Sequence, residues 1–185
     1  GGSLANRVRG HGTEDKNPSP LPSPLKWGEG EEKRSLSLYI HWPYCSRICP
    51  YCDFNVTRDR NQASQRALFD AILRDMRTQA EGLGPRQLAS VFFGGGTPSL
   101  LPPDWVAELI SQASRLFPYT DNIEITLEAN PTDAEISRYE GFRAAGINRL
   151  SLGVQSLDNQ ALKFLGRNHS AAEADRGIET AQKVF

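Results

Sequence analysis

Four strand-like segments, each followed by a helix-like segment, constrain the fold of this chain more than any other feature. The strand patterns cover residues 37–42, 89–93, 123–127 and 149–154. Strands that alternate with helices build a parallel sheet, because each parallel connection has to cross back over the sheet. The sequence therefore predicts an α/β fold made of four consecutive βα units.

The strands alternate between apolar and polar side chains. In the third strand, Glu124, Thr126 and Glu128 occupy every second position, with apolar residues between them. A doubly wound sheet buries both faces and prefers continuous apolar strands. We therefore expect a curved sheet with one face packed on helices and the other lining a cavity, as in the first four units of a β/α barrel.

The helical segments carry their own signals. The first one has apolar residues at steps of four: Leu68, Ile72, Met76 and Ala80. Thr132 with Glu135 predicts a capped third helix, which Gly146 ends. Ser170 with Glu173 predicts the start of the last helix, and His169 before it is expected on the surface.

Residues 1–35 differ from the rest of the chain. They are rich in proline and glycine and contain one aromatic residue, Trp27. Such a segment buries too little apolar surface to offset the entropy of ordering it, so we predict a disordered tail before a folded domain of residues 36–185. A polyproline ligand for an adaptor domain is the alternative. The ends at Gly1 and Phe185 lead us to expect a fragment of a longer protein.

The composition argues against two kinds of partner. With 21 Lys and Arg against 22 Asp and Glu, the net charge is −1, so no broad basic field attracts nucleic acid or an anionic membrane. No apolar run approaches the roughly 20 residues that span a bilayer, and no secretory signal pattern is present. We expect a cytoplasmic protein without a membrane span.

All three cysteines lie in one loop, with the spacing Cys45-x3-Cys49-x2-Cys52. Thiolates this close together can bind one compact metal centre. A zinc site usually has four protein ligands, and His41 is the available fourth. An iron–sulfur cluster also takes four thiolates as a rule, so a cluster held by three leaves one iron open to another ligand. The spacing favours the cluster over zinc.

The unusual residues all follow a predicted strand. The cysteine loop follows the first strand, Gly94-Gly95-Gly96 the second, Glu128-Ala129-Asn130-Pro131 the third, and Gln155 the fourth. The carboxyl ends of parallel strands meet at one edge, where β/α barrels assemble their sites. The sequence therefore predicts one site at this edge.

Together these motifs resemble the radical S-adenosylmethionine (SAM) proteins and, within them, the coproporphyrinogen dehydrogenase and HemW group of heme and porphyrin metabolism. The matching segments are residues 39–45, 49–55, 94–99, 128–131 and 153–156. The resemblance implies a partial (β/α)6 TIM-like radical SAM barrel, of which four units are present. It also implies a 4Fe–4S cluster on Cys45, Cys49 and Cys52, with SAM on the fourth iron.

The resemblance further implies which residues surround SAM: Tyr39, Tyr51, Gly95, Gly96, Thr97, Glu128, Gln155 and Arg167. It leaves the catalytic side chains unknown. Without it, the glycines would be explained by a tight turn, the tyrosines by barrel packing, and the polar residues by exposure to solvent. His41 is interpreted as a strand histidine with satisfied hydrogen bonds.

One position departs from the coproporphyrinogen dehydrogenases, which carry a further cysteine two positions after the third cluster ligand. Here that position is Phe54. The chain is thus similar to the HemW branch, which implies heme as cargo, heme-accepting proteins as partners, and an electron donor such as flavodoxin or ferredoxin. Its heme-binding histidine motif would lie beyond Phe185. The alternatives are an oxygen-independent coproporphyrinogen III oxidase and a zinc-stabilised binding module.

Overall fold

The structure is a computed structural model that describes residues 34–58 and 61–185. The predicted tail lies outside the described residues except for its last two, Arg34 and Ser35. Ser35 is already the first residue of β1. In the described part of the chain, no helix is long and apolar enough to cross a bilayer.

Strands and helices alternate along the described chain. The strands are β1 (Ser35–Trp42), β2 (Gln87–Gly95), β3 (Tyr119–Ala129) and β4 (Arg149–Leu152). The helices are α1 (Gln62–Leu83), α2 (Pro103–Leu116), α3 (Asp133–Ile136), α4 (Tyr139–Ala145), α5 (Asn159–Phe164) and α6 (Ala171–Val184). A short 3₁₀ turn, Pro98–Leu100, precedes α2. The first three strands are longer than predicted, and the fourth ends two residues earlier.

The four strands form one parallel sheet in the order β1-β2-β3-β4. A doubly wound sheet reverses its direction at a switch point, whereas this order never reverses. Right-handed crossovers in one direction place the helices on the same face of the sheet and leave the other face free. The predicted parallel α/β sheet is confirmed, and its order is that of a β/α barrel.

The strand faces follow the predicted alternation. On β1, Ile40 and Trp42 are buried, whereas Tyr39, which precedes Ile40 and points to the opposite face, is 56% exposed. On β3, Ile125 and Leu127 are buried in the same core. One face of the sheet thus packs on the helices, and the other faces the predicted site.

The helix α1 packs on a stripe that differs from the predicted one. Its buried residues are Phe69, Leu73 and Met76, whereas Leu68 and Ile72 are only partly buried beside them. Strict steps of four drift around a helix of 3.6 residues per turn, and alternating steps of four and three keep to one face. The buried stripe is therefore shifted by one residue at Phe69 and Leu73 and coincides with the predicted one at Met76.

The predicted third helix is wrong as a single element, because it divides into α3 and α4. The carboxylate of Glu135 accepts hydrogen bonds from the Ser99 hydroxyl and from the Asn130 backbone N–H, the latter at 2.8 Å. It therefore ties two loops together, and its other oxygen accepts from the hydroxyl of Thr132, the predicted cap partner, at 3.4 Å. Gly146 ends α4 with a φ of 111°, as predicted.

The last helix begins with the predicted capping box of Ser170 and Glu173. The surface position predicted for His169 is wrong, since this residue is only 6% exposed. Its Nε2–H donates to the Val154 carbonyl oxygen at 3.0 Å. Burial lowers the pKa of His169 below its ordinary value of 6.5.

Candidate metal and cofactor site

The loops that follow the carboxyl ends of the four strands surround one cavity of about 260 Å³. All the predicted site residues except Tyr39 line it: Cys45, Cys49, Tyr51, Cys52, Gly95, Gly96, Thr97, Glu128, Gln155 and Arg167. The structure thus brings the predicted residues together at the edge where parallel strands were expected to place them.

The cysteine loop is anchored at both ends. The Cys45 N–H donates to the Thr57 carbonyl at 3.0 Å, and the Thr57 N–H donates to the Pro43 carbonyl at 2.9 Å. Between these ends, the Cys52 N–H donates to the Cys49 carbonyl at 3.0 Å. These bonds fold the loop back on itself, so that three partly buried thiols border the same cavity.

Two of the three sulfur atoms receive hydrogen bonds. The Thr97 hydroxyl donates to Cys45 Sγ at 3.6 Å, and Arg167 Nη1 donates to Cys49 Sγ at 3.3 Å. Burial raises the pKa of the Cys45 thiol, and the bond from Thr97 opposes that rise. Donors aimed at sulfur favour the thiolate, which is the form that binds metals.

The zinc alternative depends on a fourth protein ligand. Among residues 34–58 and 61–185, no three Cys, His, Asp or Glu side chains are grouped so that they could hold one metal ion. His41, the possible fourth zinc ligand, has both ring nitrogens engaged: Nε2 lies 3.0 Å from the Asn55 carbonyl and Nδ1 lies 3.2 Å from the Tyr39 hydroxyl. Because a carbonyl only accepts, Nε2 carries the proton and Nδ1 accepts from Tyr39. His41 is thus the satisfied strand histidine that the sequence predicted.

The glycine turn, Gly94-Gly95-Gly96, packs against the start of the cysteine loop. A Cβ on Gly96 would lie 2.6 Å from the Pro43 carbonyl oxygen and 2.8 Å from that of Tyr44. Gly95 has a φ of 112°, in the left-handed region that favours glycine. The protein's own structure therefore requires both glycines, Gly96 for close packing and Gly95 for its backbone conformation.

Glu128 and Tyr39 lie on the same face of the sheet but differ in their access to the cavity. Glu128 is half-buried and accepts a hydrogen bond from the Gly95 N–H at 3.2 Å. Burial raises the pKa of Glu128, and this bond opposes the rise. Tyr39 stacks on Phe92 with ring centroids 6.1 Å apart. Its pKa is raised by burial and by the charge of Glu128, yet it lies outside the cavity lining.

Arg167 ties the cysteine loop to the ends of β3 and β4. Nη1 also donates to the Tyr51 hydroxyl at 3.2 Å, and Nη2 donates to the Gly153 carbonyl at 2.7 Å and to the Asn130 side chain. Its buried Nε has no hydrogen-bond partner among the described residues. The guanidinium therefore keeps one donor that the described residues do not satisfy.

Sequence reasoning assigned no role to several residues that the structure places at the cavity. Asn130 follows β3 inside a motif already noted, and Ser151 lies on the predicted polar face of β4. Arg47 and Ile48 lie between two cysteines and also line the cavity. Their positions after strands, or on the polar face, were the signals that could have found them.

The sequence is similar to proteins of one family. Residues 39–185 match the radical SAM superfamily. Radical S-adenosyl methionine domain-containing protein 1, mitochondrial, of Bos taurus is 45% identical over 149 residues, which make up 80% of this chain and 34% of that protein. Heme chaperone HemW of Haemophilus influenzae is 41% identical over 151 residues, or 80% of this chain and 39% of that protein.

The fold is also similar to that of a solved structure. Coproporphyrinogen III oxidase (HemN) from Escherichia coli, described as a radical SAM enzyme, matches with a TM-score of 0.75 and 28% sequence identity. The match covers 82% of this chain and 35% of that one. The chain thus spans between about a third and two fifths of the length of these relatives.

Proposed function

The chain belongs to the radical SAM superfamily, and on that premise we propose that it forms the N-terminal part of the radical SAM core of a heme chaperone similar to HemW. Membership of the superfamily implies binding of SAM and a 4Fe–4S cluster. The observation that carries the proposal is the convergence of three cysteines, a glycine turn, Glu128 and Arg167 on one cavity.

Cys45, Cys49 and Cys52 would hold the cluster, since three thiols of one loop border the cavity and two of them receive hydrogen bonds. When bound, the cluster supplies an electron that cleaves the sulfonium bond of SAM. The protein's own residues position and shield these groups. The donors on Cys45 and Cys49 stabilise negative charge on sulfur, which tunes the reduction potential of such clusters.

Glu128 and Arg167 suit the two charged ends of the methionine part of SAM. The Glu128 carboxylate can accept hydrogen bonds from an ammonium group, and the Arg167 guanidinium can pair with a carboxylate. The unpartnered buried Nε of Arg167 indicates that this guanidinium is not fully satisfied by the described residues. Tyr51, Gly95, Gly96, Thr97 and Gln155 would complete the SAM site, with Tyr39 more distant.

Phe54 favours a carrier over an enzyme. It is 62% exposed and lines the cavity, at the position where the resemblance leads us to expect a cysteine in coproporphyrinogen dehydrogenases. An exposed phenylalanine offers an apolar surface in place of a reactive thiol. The second candidate function, oxygen-independent oxidation of coproporphyrinogen III, is supported by the similarity to the HemN structure.

The first experiment tests the metal centre. Iron and acid-labile sulfide are measured after anaerobic reconstitution of the purified protein and of a variant with Cys45, Cys49 and Cys52 replaced by serine. We expect iron and sulfide only in the protein with its cysteines. Ser46→Ala, in the same loop, is the control that should keep the cluster. Zinc without sulfide would instead indicate the binding module.

The second experiment separates the carrier from the enzyme. The full-length, cluster-loaded protein is incubated with coproporphyrinogen III, SAM and a reductant, and the same preparation is titrated with heme. We expect saturable heme binding and no protoporphyrinogen. Protoporphyrinogen formation would refute the carrier function, and the absence of saturable heme binding would count against heme delivery.

Heme-accepting proteins and a flavodoxin- or ferredoxin-like electron donor remain predictions, because they follow from the HemW resemblance alone. A cytoplasmic location also stays a prediction. One similar protein is named as mitochondrial and another is a bacterial heme chaperone. Fractionation of cells that express the full-length protein would test it.

A further inference from the structure

Asn130 is the first residue after β3, and its side chain is shared between two other loops. Its Nδ2 donates to the Thr97 hydroxyl at 3.3 Å, and its Oδ1 accepts a hydrogen bond from Arg167 Nη2. Because a guanidinium only donates, the amide oxygen of Asn130 has to face Arg167 and the amide nitrogen has to face Thr97. The orientation of this amide is therefore fixed by its partners.

These bonds continue to the cysteine loop on both sides. Thr97 donates onward to Cys45 Sγ, and Arg167 donates to Cys49 Sγ. A hydrogen-bonded chain thus runs from one thiol to the other, with Asn130 at its centre. We call this chain, which consists of Cys45, Thr97, Asn130, Arg167 and Cys49, the thiol circuit.

A buried carboxylate holds the backbone of Asn130. Its backbone N–H donates to Glu135 at 2.8 Å, and Glu135 is only 4% exposed. Glu135 also accepts from the Ser99 hydroxyl, which follows the glycine turn. The backbone of Asn130 is therefore fixed to a buried carboxylate, and Pro131 restricts the chain directly after it.

We propose that Asn130 is the positioning residue of the cluster and SAM site, which holds Thr97 and Arg167 in the orientation that the thiols and SAM require. The inference rests on the proposed binding of a cluster and SAM, and it is independent of heme. Asn130 acts through Thr97 and Arg167, so its removal should disturb the site while both of these residues remain present.

Three variants separate positioning from a general loss of stability. Asn130→Leu removes both bonds of the amide. Asn130→Asp keeps an acceptor for Arg167 but has no N–H, so that the Thr97 hydroxyl would donate to the carboxylate and release Cys45. The control is Asn148→Leu, because Asn148 also bridges two groups, the Ile125 N–H at 2.7 Å and the Ile123 carbonyl at 2.8 Å, outside the thiol circuit.

The first measurement is SAM affinity by equilibrium dialysis of the cluster-loaded proteins. Loss of two hydrogen bonds predicts about tenfold weaker binding for Asn130→Leu, and a smaller loss for Asn130→Asp. Asn148→Leu should lower the melting temperature yet bind SAM within about twofold of the original protein. Equal SAM affinity in Asn130→Leu and the original protein, or an equal loss in Asn148→Leu, would overturn the proposal.

The second measurement is the midpoint potential of the cluster. Asn130→Asp should shift it to more negative values, because Cys45 loses its donor and a negative charge is added nearby. Asn148→Leu should leave it unchanged. An unchanged potential in Asn130→Asp would count against the Thr97 side of the thiol circuit.

The third measurement needs no cluster. Hydrogen exchange of the backbone amides of residues 43–58 should be faster in cluster-free Asn130→Leu than in the original protein, and unchanged in Asn148→Leu. If the original protein takes up no cluster, the proposed function fails, whereas exchange still tests the role of Asn130. Identical exchange in all three proteins would refute that role.

Discussion

Gly96→Ala tests the packing of the glycine turn on the cysteine loop. The new Cβ would lie 2.6 Å from the Pro43 oxygen, 2.7 Å from its carbonyl carbon and 2.8 Å from the Tyr44 oxygen. These atoms belong to the backbone, so no side-chain rotation can make room. The end of β2 and the segment that leads to Cys45 would have to move apart.

Two backbone hydrogen bonds cross this contact. The Gly96 N–H donates to the Trp42 carbonyl at 2.8 Å, and the Thr97 N–H donates to the Tyr44 carbonyl at 2.9 Å. Overpacking costs about 1–3 kcal/mol, and each weakened bond costs about 0.5–1.5 kcal/mol. We therefore expect Gly96→Ala to lower the free energy of unfolding by about 2–6 kcal/mol, out of the roughly 5–15 kcal/mol of a typical domain.

Urea denaturation followed by circular dichroism measures this change, and bound iron after reconstitution reports on the site. The control is Gly82→Ala, because Gly82 lies within α1 and a Cβ there meets nothing within 4 Å. Alanine in a helix should raise the free energy of unfolding by about 0.5–1 kcal/mol. The reasoning would be refuted if Gly96→Ala were as stable as Gly82→Ala and bound as much iron.

Three further predictions concern the same edge of the sheet. Gln155 has a φ of 63°, so Gln155→Gly should raise the free energy of unfolding by about 1 kcal/mol relative to Gln155→Ala while both weaken SAM binding; equal stability of the two variants in urea would contradict this. Arg167→Lys keeps the charge but cannot reach all four acceptors, so we expect about tenfold weaker SAM binding by equilibrium dialysis, and unchanged affinity would exclude that contact. Burial holds the pKa of His169 below 6.5, so the unfolded state takes up the proton first and stability falls as the pH drops through 6.5. His169→Gln can still donate to Val154 but does not titrate, and its melting temperature should fall less between about pH 7.5 and about pH 5.5; equal falls would contradict the shift.

The place of the site could be predicted from the sequence because strand alternation and the parallel direction of the strands determine it. Side chains on a strand alternate between faces, so the position of Glu128 on the polar face follows from its neighbours alone. All parallel strands end at one edge, so motifs far apart in sequence, such as the cysteine loop and Gln155, had to meet there. The structure brings both to the same cavity.

The connections within the site could not be predicted in the same way. Glu135 stands three residues after Thr132, the spacing of a helix cap, and its carboxylate accepts from the Thr132 hydroxyl but also from Ser99, 36 positions earlier in the chain. Local spacing cannot show whether a carboxylate serves its own helix or a neighbouring loop. For the same reason, local spacing did not indicate a role for Asn130, because the two hydrogen-bond partners of its side chain lie 33 and 37 positions away.

Unfavourable local geometry lies at the cavity, and the core behind it has to compensate. Gln155, which is not a glycine, adopts left-handed backbone there, and the buried Arg167 Nε has no partner among the described residues. Such features cost about 1–3 kcal/mol each and persist only where the surrounding structure fixes them. On the helix side of the same strands, Phe93 and Leu127 are fully buried. Because these two side chains fix the ends of β2 and β3, a core cavity at either position would loosen the site without touching any residue that lines it.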